Sequence, residues 1–150
     1  MYTHDLGEGE NLARGKPTFS SSVVTGRSSG QAVDGDITPQ YYGLQSFCFQ
    51  TPNTDYNPWF IVDLEDVYRI IFVVVYNADD YREKLYRLGL FPNPFHFLNK
   101  ILFTQKKKYC HNIIRCNENV AGRFLKISIQ KSNFLTLCEV EVYGVLCEYY

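Results

Sequence analysis

Several short stretches of the chain alternate hydrophobic with polar residues, a period typical of half-buried β-strands. The clearest alternation is Arg123–Gln130, in which Leu125, Ile127 and Ile129 point to one side. Phe124 falls on the opposite, outer face and breaks the pattern. We therefore expect a strand here with one face in the core.

Two apolar runs in the middle of the chain predict core strands. Asn57–Leu64 contains the only Trp and begins beside Pro58, which lacks a donor for a strand ladder and marks a strand entrance. Tyr68–Tyr76 is the most apolar run in the sequence. We expect them to form two adjacent strands of a β-sandwich.

The end of the chain repeats the strand pattern. In Phe134–Val145, Val140 and Val142 are predicted to face inward, and Glu139 and Glu141 outward. Short strands separated by turn signals, without an amphipathic helix, predict an all-β sandwich or barrel. We expect residues 1–10 to be a flexible leader, residues 11–146 one domain, and residues 147–150 a C-terminal tail.

Composition narrows the function. With 150 residues, 45% of them hydrophobic, the chain suits one folded domain. A net charge of −1 gives no global field to attract nucleic acid or an acidic membrane. Lys106–Lys108 is a short basic run that could meet sulfated glycans or acidic partners, but three charges are few and favour a solvated loop. No run is long enough for a transmembrane segment, and no signal peptide is visible.

The five cysteines favour an oxidising compartment. They lack the paired C-x-x-C spacing of a zinc site. Cys110 and Cys116 could close a small loop, and Cys48 and Cys138 could join the early part of the chain to its end. We predict a secreted or extracellular domain with these two disulfides, and Cys147 free or paired elsewhere. The alternative is a cytosolic protein with five reduced thiols.

No catalytic pattern is present. The sequence lacks a G-x-S-x-G elbow, a Gly-rich phosphate loop and a Cys/His pairing suited to nucleophilic catalysis. Asp79 and Asp80 are adjacent, so their side chains would point apart in an extended chain. We expect no enzymatic activity.

Four motifs, in order along the chain, carry a family resemblance. They are Asn11-Leu-Ala with Gly15-Lys-Pro, Ala32-Val-Asp-Gly, Asn57-Pro-Trp-Phe-Ile-Val-Asp-Leu, and Leu135-Thr-Leu-Cys-Glu-Val-Glu-Val-Tyr-Gly. The chain resembles the F-type lectins (fucolectins), which belong with the discoidin-like, coagulation-factor C-type domains. The resemblance implies an eight-stranded jelly-roll β-sandwich that binds fucosylated glycans and holds a structural calcium ion (Ca2+).

The sugar site of the resembling family is altered here. Its His falls near Gln50, its first Arg is Ala78, and its Asp is kept as Asp80. Its adjacent cysteines become Tyr81-Arg82, and its last Arg maps to Lys84, or to Leu85 without a one-residue gap. The resemblance therefore implies a sugar site with these candidate residues: Gln50, Asp80, Tyr81, Arg82 and Lys84.

These replacements change the chemistry of the site. A Lys offers one mobile charge where an Arg offers a fixed fork of donors, and Tyr81 could stack on a sugar with less rigidity than a disulfide. The alternative is a loop that has lost its function. Nearby aromatic residues would be recognition elements if exposed and core if buried: Tyr41, Tyr42, Phe47 and Phe49.

A calcium site is predicted at the other loop. Asp34 and Asp36 flank a Gly, and Glu139 beside Cys138 could join them, because calcium prefers carboxylate and carbonyl oxygens. The resemblance adds carbonyl groups near Gln31, Ser46 and Cys138. The alternative is an ordinary Asp-Gly turn with solvated carboxylates.

The sequence thus predicts an extracellular carbohydrate-recognition domain of fucolectin type, with an altered sugar site and a structural calcium ion. One alternative is a discoidin-like adhesion module that binds a protein or a membrane surface and has lost fucose binding. Another is a purely structural extracellular domain in which Cys147 leads into a neighbouring module.

Overall fold

A computed structural model describes residues 9–37, 48–76, 85–91, 103–106, 111–116, 121–129 and 134–147. Within these ranges the chain forms nine strands and one short 3₁₀ helix, Ser29–Ala32. The strands are β1 Thr18–Ser20, β2 Phe49–Gln50, β3 Trp59–Tyr76, β4 Leu85–Phe91, β5 Phe103–Lys106, β6 His111–Arg115, β7 Ala121–Ile129, β8 Thr136–Leu137 and β9 Glu139–Leu146. The expected all-β fold is confirmed.

The strand β3 runs for 18 residues and connects two sets of partners. Its first arm, Trp59–Leu64, pairs with β1 and β7. Its second arm, from Ile70 to Tyr76, pairs with β6 and β9. The expectation of two adjacent strands was wrong: the two apolar runs form one bent strand, and each arm pairs with other parts of the chain.

The bend in β3 lies at Glu65, whose φ of 70° is in the left-handed region. The Asp63 carboxylate accepts the Glu65 N–H at 2.8 Å and a two-fold contact from the Arg123 guanidinium at 2.7 and 2.8 Å. Lys16 pairs with the Glu65 carboxylate at 2.5 Å. These contacts hold the backbone where the strand changes partners.

The core lies between the two arms and their partners. Phe60 and Val62 of the first arm belong to the same buried cluster as Val73 and Val75 of the second arm. The inward residues predicted for β7 and β9 join them, and all are at most 3% exposed: Leu125, Ile127, Ile129, Val140 and Val142. The alternation in the sequence therefore placed these side chains correctly.

A second, smaller cluster lies on the other face of the first arm. It contains Ile61, Phe91 and Phe124, with Trp59 packed against them. Lys126 Nζ lies 5.6 Å from the centre of the Trp59 ring. Phe124 is therefore on the outer face, as predicted, but buried.

Other elements refine the sequence prediction. The strand β1 ends at Ser20, because Ser21 turns to hydrogen-bond with Asp55 of a later loop. Residues 1–8 of the predicted leader lie outside the described residues. Among the described residues no helix is long and apolar enough to cross a membrane.

The structure contains one of the two predicted disulfides among the described residues. Cys48 and Cys138 are bonded, which confirms that link across a sequence separation of 90. The predicted Cys110–Cys116 disulfide is wrong, because Cys116 is a free thiol. The residues between them form β6, which spans about 13 Å, whereas disulfide-bonded residues have Cα atoms about 4.4–6.8 Å apart. Burial raises the pKa of the Cys116 thiol.

Candidate functional site

The predicted calcium loop follows the 3₁₀ helix. Ser28 begins that helix with a capping box, in which the Gln31 Oε1 accepts the Ser28 N–H at 2.9 Å. Ala32 and Val33 are buried in the core, so the residues after them emerge at the surface in a fixed place. Gly35 has a φ of 87°, which only glycine adopts readily, and it turns the loop.

Glu139 lies beneath this loop and is fully buried, with 0% of its surface exposed. It was expected to face solvent. Its Oε2 accepts the Gly35 N–H at 3.1 Å, whereas its Oε1 has no hydrogen-bond partner among the described residues. Burial raises the pKa of Glu139 to about 8, and the neighbouring Asp34 carboxylate adds to the shift. An isolated buried carboxylate is unfavourable, so this position suits a cation.

The two aspartates lie on the loop itself. The Asp34 Oδ1 accepts the Asp36 N–H at 2.9 Å. Cys138 precedes Glu139, and its N–H donates to the Tyr76 carbonyl at 2.9 Å. Ser46 lies outside the described residues. Those that are described include no cluster of three or more His, Cys, Asp or Glu side chains arranged for a metal, so carbonyl oxygens would have to supply much of any shell.

Gln50 ends β2, two residues after the disulfide cysteine Cys48. Its Oε1 accepts a hydrogen bond from the Arg27 guanidinium, and its carbonyl accepts the Val24 N–H at 2.9 Å. Burial lowers the pKa of Arg27. Arg27 could not be predicted from the sequence, because no spacing rule joins it to Gln50, 23 residues away in β2.

Two serines connect the Val24 loop to the loop before β3. The Ser21 and Ser22 hydroxyls donate to the Asp55 carboxylate at 2.6 and 2.5 Å. Burial alone would raise the pKa of Asp55, but these two bonds and the Asn57 N–H outweigh it and lower the pKa. Both loops are thereby fixed beside Gln50. Tyr56, next to Asp55, is 69% exposed.

The comparisons with known proteins place the chain in a family. No family model matches the sequence. The chain is 30% identical to Fucolectin-5 of Anguilla japonica over an alignment of 162 residues, which covers 97% of this chain and 82% of the relative. It belongs to the fucolectins, the F-type lectins. Fucolectin-3 of the same species is 30% identical, with 92% of this chain and 83% of the relative covered.

Solved F-type lectin structures have the same fold. A fucolectin from striped bass (Morone saxatilis) serum superposes with a TM-score of 0.82 at 27% identity, covering 94% of this chain. The match spans only 49% of that longer chain. The lectin domain of lectinolysin, solved with Lewis B antigen, superposes with a TM-score of 0.73 at 26% identity, covering 90% of this chain and 96% of its own.

Family membership excludes one function class and leaves the details of the site open. Fucolectins are lectins, so the domain is not an enzyme. Of the predicted sugar-site residues the structure describes Gln50 alone. The others, Asp80, Tyr81, Arg82 and Lys84, lie outside the described residues, as do Tyr41, Tyr42 and Phe47. Phe49 is fully buried and belongs to the core.

Proposed function

We propose that this F-type lectin domain binds glycans, fucosylated ones among them, at the loops around Gln50. The observation that carries the proposal is the 30% identity to a fucolectin over 97% of the chain. The lectinolysin lectin domain, which superposes over 90% of this chain, was solved with Lewis B antigen. The loops beside Gln50 are pinned by Arg27 and by the Ser21–Asp55 contact, which limits the entropy lost on binding.

The site differs from the family pattern that the resemblance implies. Gln50 replaces a His, and its carboxamide offers two N–H donors and no positive charge. Asp80, Tyr81, Arg82 and Lys84 complete the proposed site. We therefore expect weaker or altered sugar preference compared with a site built from two Arg forks and a His.

A glycan array tests the proposal. The purified domain in calcium-containing buffer is expected to bind fucosylated structures above non-fucosylated controls, with free L-fucose as competitor. An array without hits, at protein concentrations that detect weak lectins, contradicts glycan binding. Co-sedimentation with liposomes, in the absence of any glycan hit, would favour the discoidin-like adhesion module instead.

A structural calcium ion is the second part of the proposal. Asp34, Asp36 and Glu139 would hold it, together with carbonyls near Gln31, Ser46 and Cys138. The buried, unpartnered Glu139 Oε1 supports this assignment, because a bound cation would compensate its charge. The ion would tie the Asp34 loop to β9 beside the Cys48–Cys138 disulfide.

Removal of calcium is expected to lower the melting temperature of the wild-type domain. At a free calcium concentration of 100 times the dissociation constant the ion adds about 2.7 kcal/mol to stability. Glu139→Gln should abolish this response and melt near the chelated wild type, because its neutral amide resembles the protonated Glu139 side chain. Glu141→Gln, the same change two residues along β9, should keep it. Equal melting temperatures of the wild type with calcium and with chelator contradict the site.

We also propose an extracellular location. The Cys48–Cys138 disulfide supports it, because disulfides persist in oxidising compartments. The striped bass relative was isolated from serum. Thiol titration of the protein recovered from culture medium, before and after reduction, should show this bond intact.

A further inference from the structure

Arg27 determines which way the Gln50 carboxamide points. A guanidinium has five N–H donors and no acceptor, so the Gln50 atom it contacts must be the oxygen. The amide plane then directs Nε2 away from Arg27. A glutamine without such a neighbour could exchange the two ends by rotating its last torsion.

The backbone of Gln50 is fixed as well. It pairs with Thr136 in the β2–β8 ladder, and its carbonyl accepts the Val24 N–H. The NH₂ group of the side chain is therefore the part of Gln50 that these contacts leave available for a ligand. Among the described residues Nε2 has no hydrogen-bond partner, and it is not one of their buried polar atoms without a partner. It therefore reaches solvent as a pair of unused donors.

Arg27 contributes more than this one contact. Its side chain is half-buried, and within the described part of the chain Gln50 is its hydrogen-bond partner. Several guanidinium N–H groups are thus left without a protein acceptor beside the Gln50 amide. The Arg27 guanidinium and the Gln50 amide therefore present N–H donors at one place. The hydrogen bond between the two side chains sets their relative orientation.

We propose that Arg27 orients the Gln50 amide so that its NH₂ group donates to hydroxyl and ring oxygens of the sugar. Gln50 touches the ligand through Nε2, and Arg27 acts as the positioning residue that sets the specificity of that contact. Sugars suit the pair because their oxygens accept hydrogen bonds without carrying charge. The inference rests on the proposed glycan binding and deepens it by adding Arg27, which lies in a loop outside the predicted site residues.

Gln50→Glu is the sharpest test. Glu has the same shape and would keep its contact with Arg27 as an ion pair, but it offers only acceptors to the ligand. We expect glycan affinity to fall by about 10-fold or more, which corresponds to the loss of one hydrogen bond. The melting temperature should be unchanged or higher. Unchanged affinity in this variant overturns the inference.

Arg27→Met tests the positioning role. Met keeps the apolar stem and removes every donor, so the Gln50 amide becomes free to rotate, and affinity should fall about 10-fold. Arg27→Lys keeps one donor and should recover part of that loss. Arg115→Met removes an exposed arginine at the end of β6 and should bind as the wild type does. If Arg27→Met binds as tightly as the wild type, the positioning role is wrong.

The amide itself gives a readout without any sugar. In ¹⁵N NMR spectra the Gln50 side-chain NH₂ should be rigid in the wild type and mobile in Arg27→Met. A wild-type array without hits would overturn the proposed function, and the NMR result would still decide whether Arg27 holds the amide. A glycan-binding wild type with a mobile Gln50 amide would overturn the inference and leave the proposed function standing.

Discussion

Two buried carboxylates of this domain have opposite surroundings. Asp63 is held by Arg123, whose hydrogen bonds are the main reason that its pKa is lowered, although burial acts the other way. Glu139 has no cationic partner among the described residues, and burial raises its pKa to about 8. Asp63 serves the fold as it stands, whereas Glu139 has an oxygen left for something else to neutralise.

Asp63→Asn should destabilise the domain by about 1–2 kcal/mol at pH 6, because the neutral amide loses its charge-assisted bonds to Arg123. The pKa of Asp63 is lower in the folded chain than its usual value of about 3.9. Its contribution is therefore complete above that value and is lost as the pH falls through the folded pKa. Urea unfolding at pH 6 and pH 3 should show the variant approaching the wild type at the lower pH. Asp66→Asn, an exposed change nearby, is the control, and a pH-independent difference between wild type and Asp63→Asn would contradict the assignment.

Individual residues also show which parts of the structure could be predicted from the sequence. The alternation of apolar residues placed Leu125 and Val140 in the core because strand geometry is local. It missed the burial of Glu139, since the loop that covers it lies 104 residues away in the chain. Arg27 was not predicted for the same reason, because its partner Gln50 lies 23 residues away in the chain.

At the scale of elements, β3 decides how the chain is arranged. The prediction that its two apolar runs are strands was correct. The prediction that they are two separate strands was wrong, because they form one continuous strand. The bend between them depends on Glu65 and on contacts from Arg123 and Lys16. The loop expected between Cys110 and Cys116 was likewise a strand, because β6 finds its partner in the second arm of β3.

The irregular pairing of the second arm of β3 with β9 requires glycine at position 144. A β-bulge lies between Ile70 and Phe72, opposite Gly144 in β9. A Cβ on Gly144 would lie 2.4 Å from the Arg69 carbonyl oxygen, a backbone atom that cannot move aside cheaply.

Gly144→Ala should therefore cost about 2 kcal/mol of stability, a typical penalty for overpacking. Gly30→Ala is the matched control, because its nearest neighbour would be the Ser28 Oγ at 3.7 Å, an ordinary contact. Denaturant unfolding of both variants gives the comparison. Equal stabilities of the two variants would show that β9 shifts to make room.

For the whole molecule, the Cys48–Cys138 disulfide joins two short strands, β2 and β8, that form a separate two-stranded sheet. Two-residue strands have few hydrogen bonds of their own. The bond therefore ties together the chain segments that carry Gln50, two residues after Cys48, and Glu139, which directly follows Cys138.

Replacing both cysteines by Ala should lower stability by about 4.5 kcal/mol, the chain-entropy value for a loop of this length. Cys147→Ala removes a free thiol and should have little effect. Urea unfolding with and without reductant measures both. The pair variant and reduced wild type should agree, and a loss below about 1 kcal/mol would contradict the chain-entropy account.

The shared strand β3 has a consequence for how the domain opens. Because residues of both arms lie in one buried cluster and share one strand, neither arm can unfold while the other keeps its packing. The amide protons of Val62 and Val73 should then exchange with solvent in the same rare event, with one common free energy.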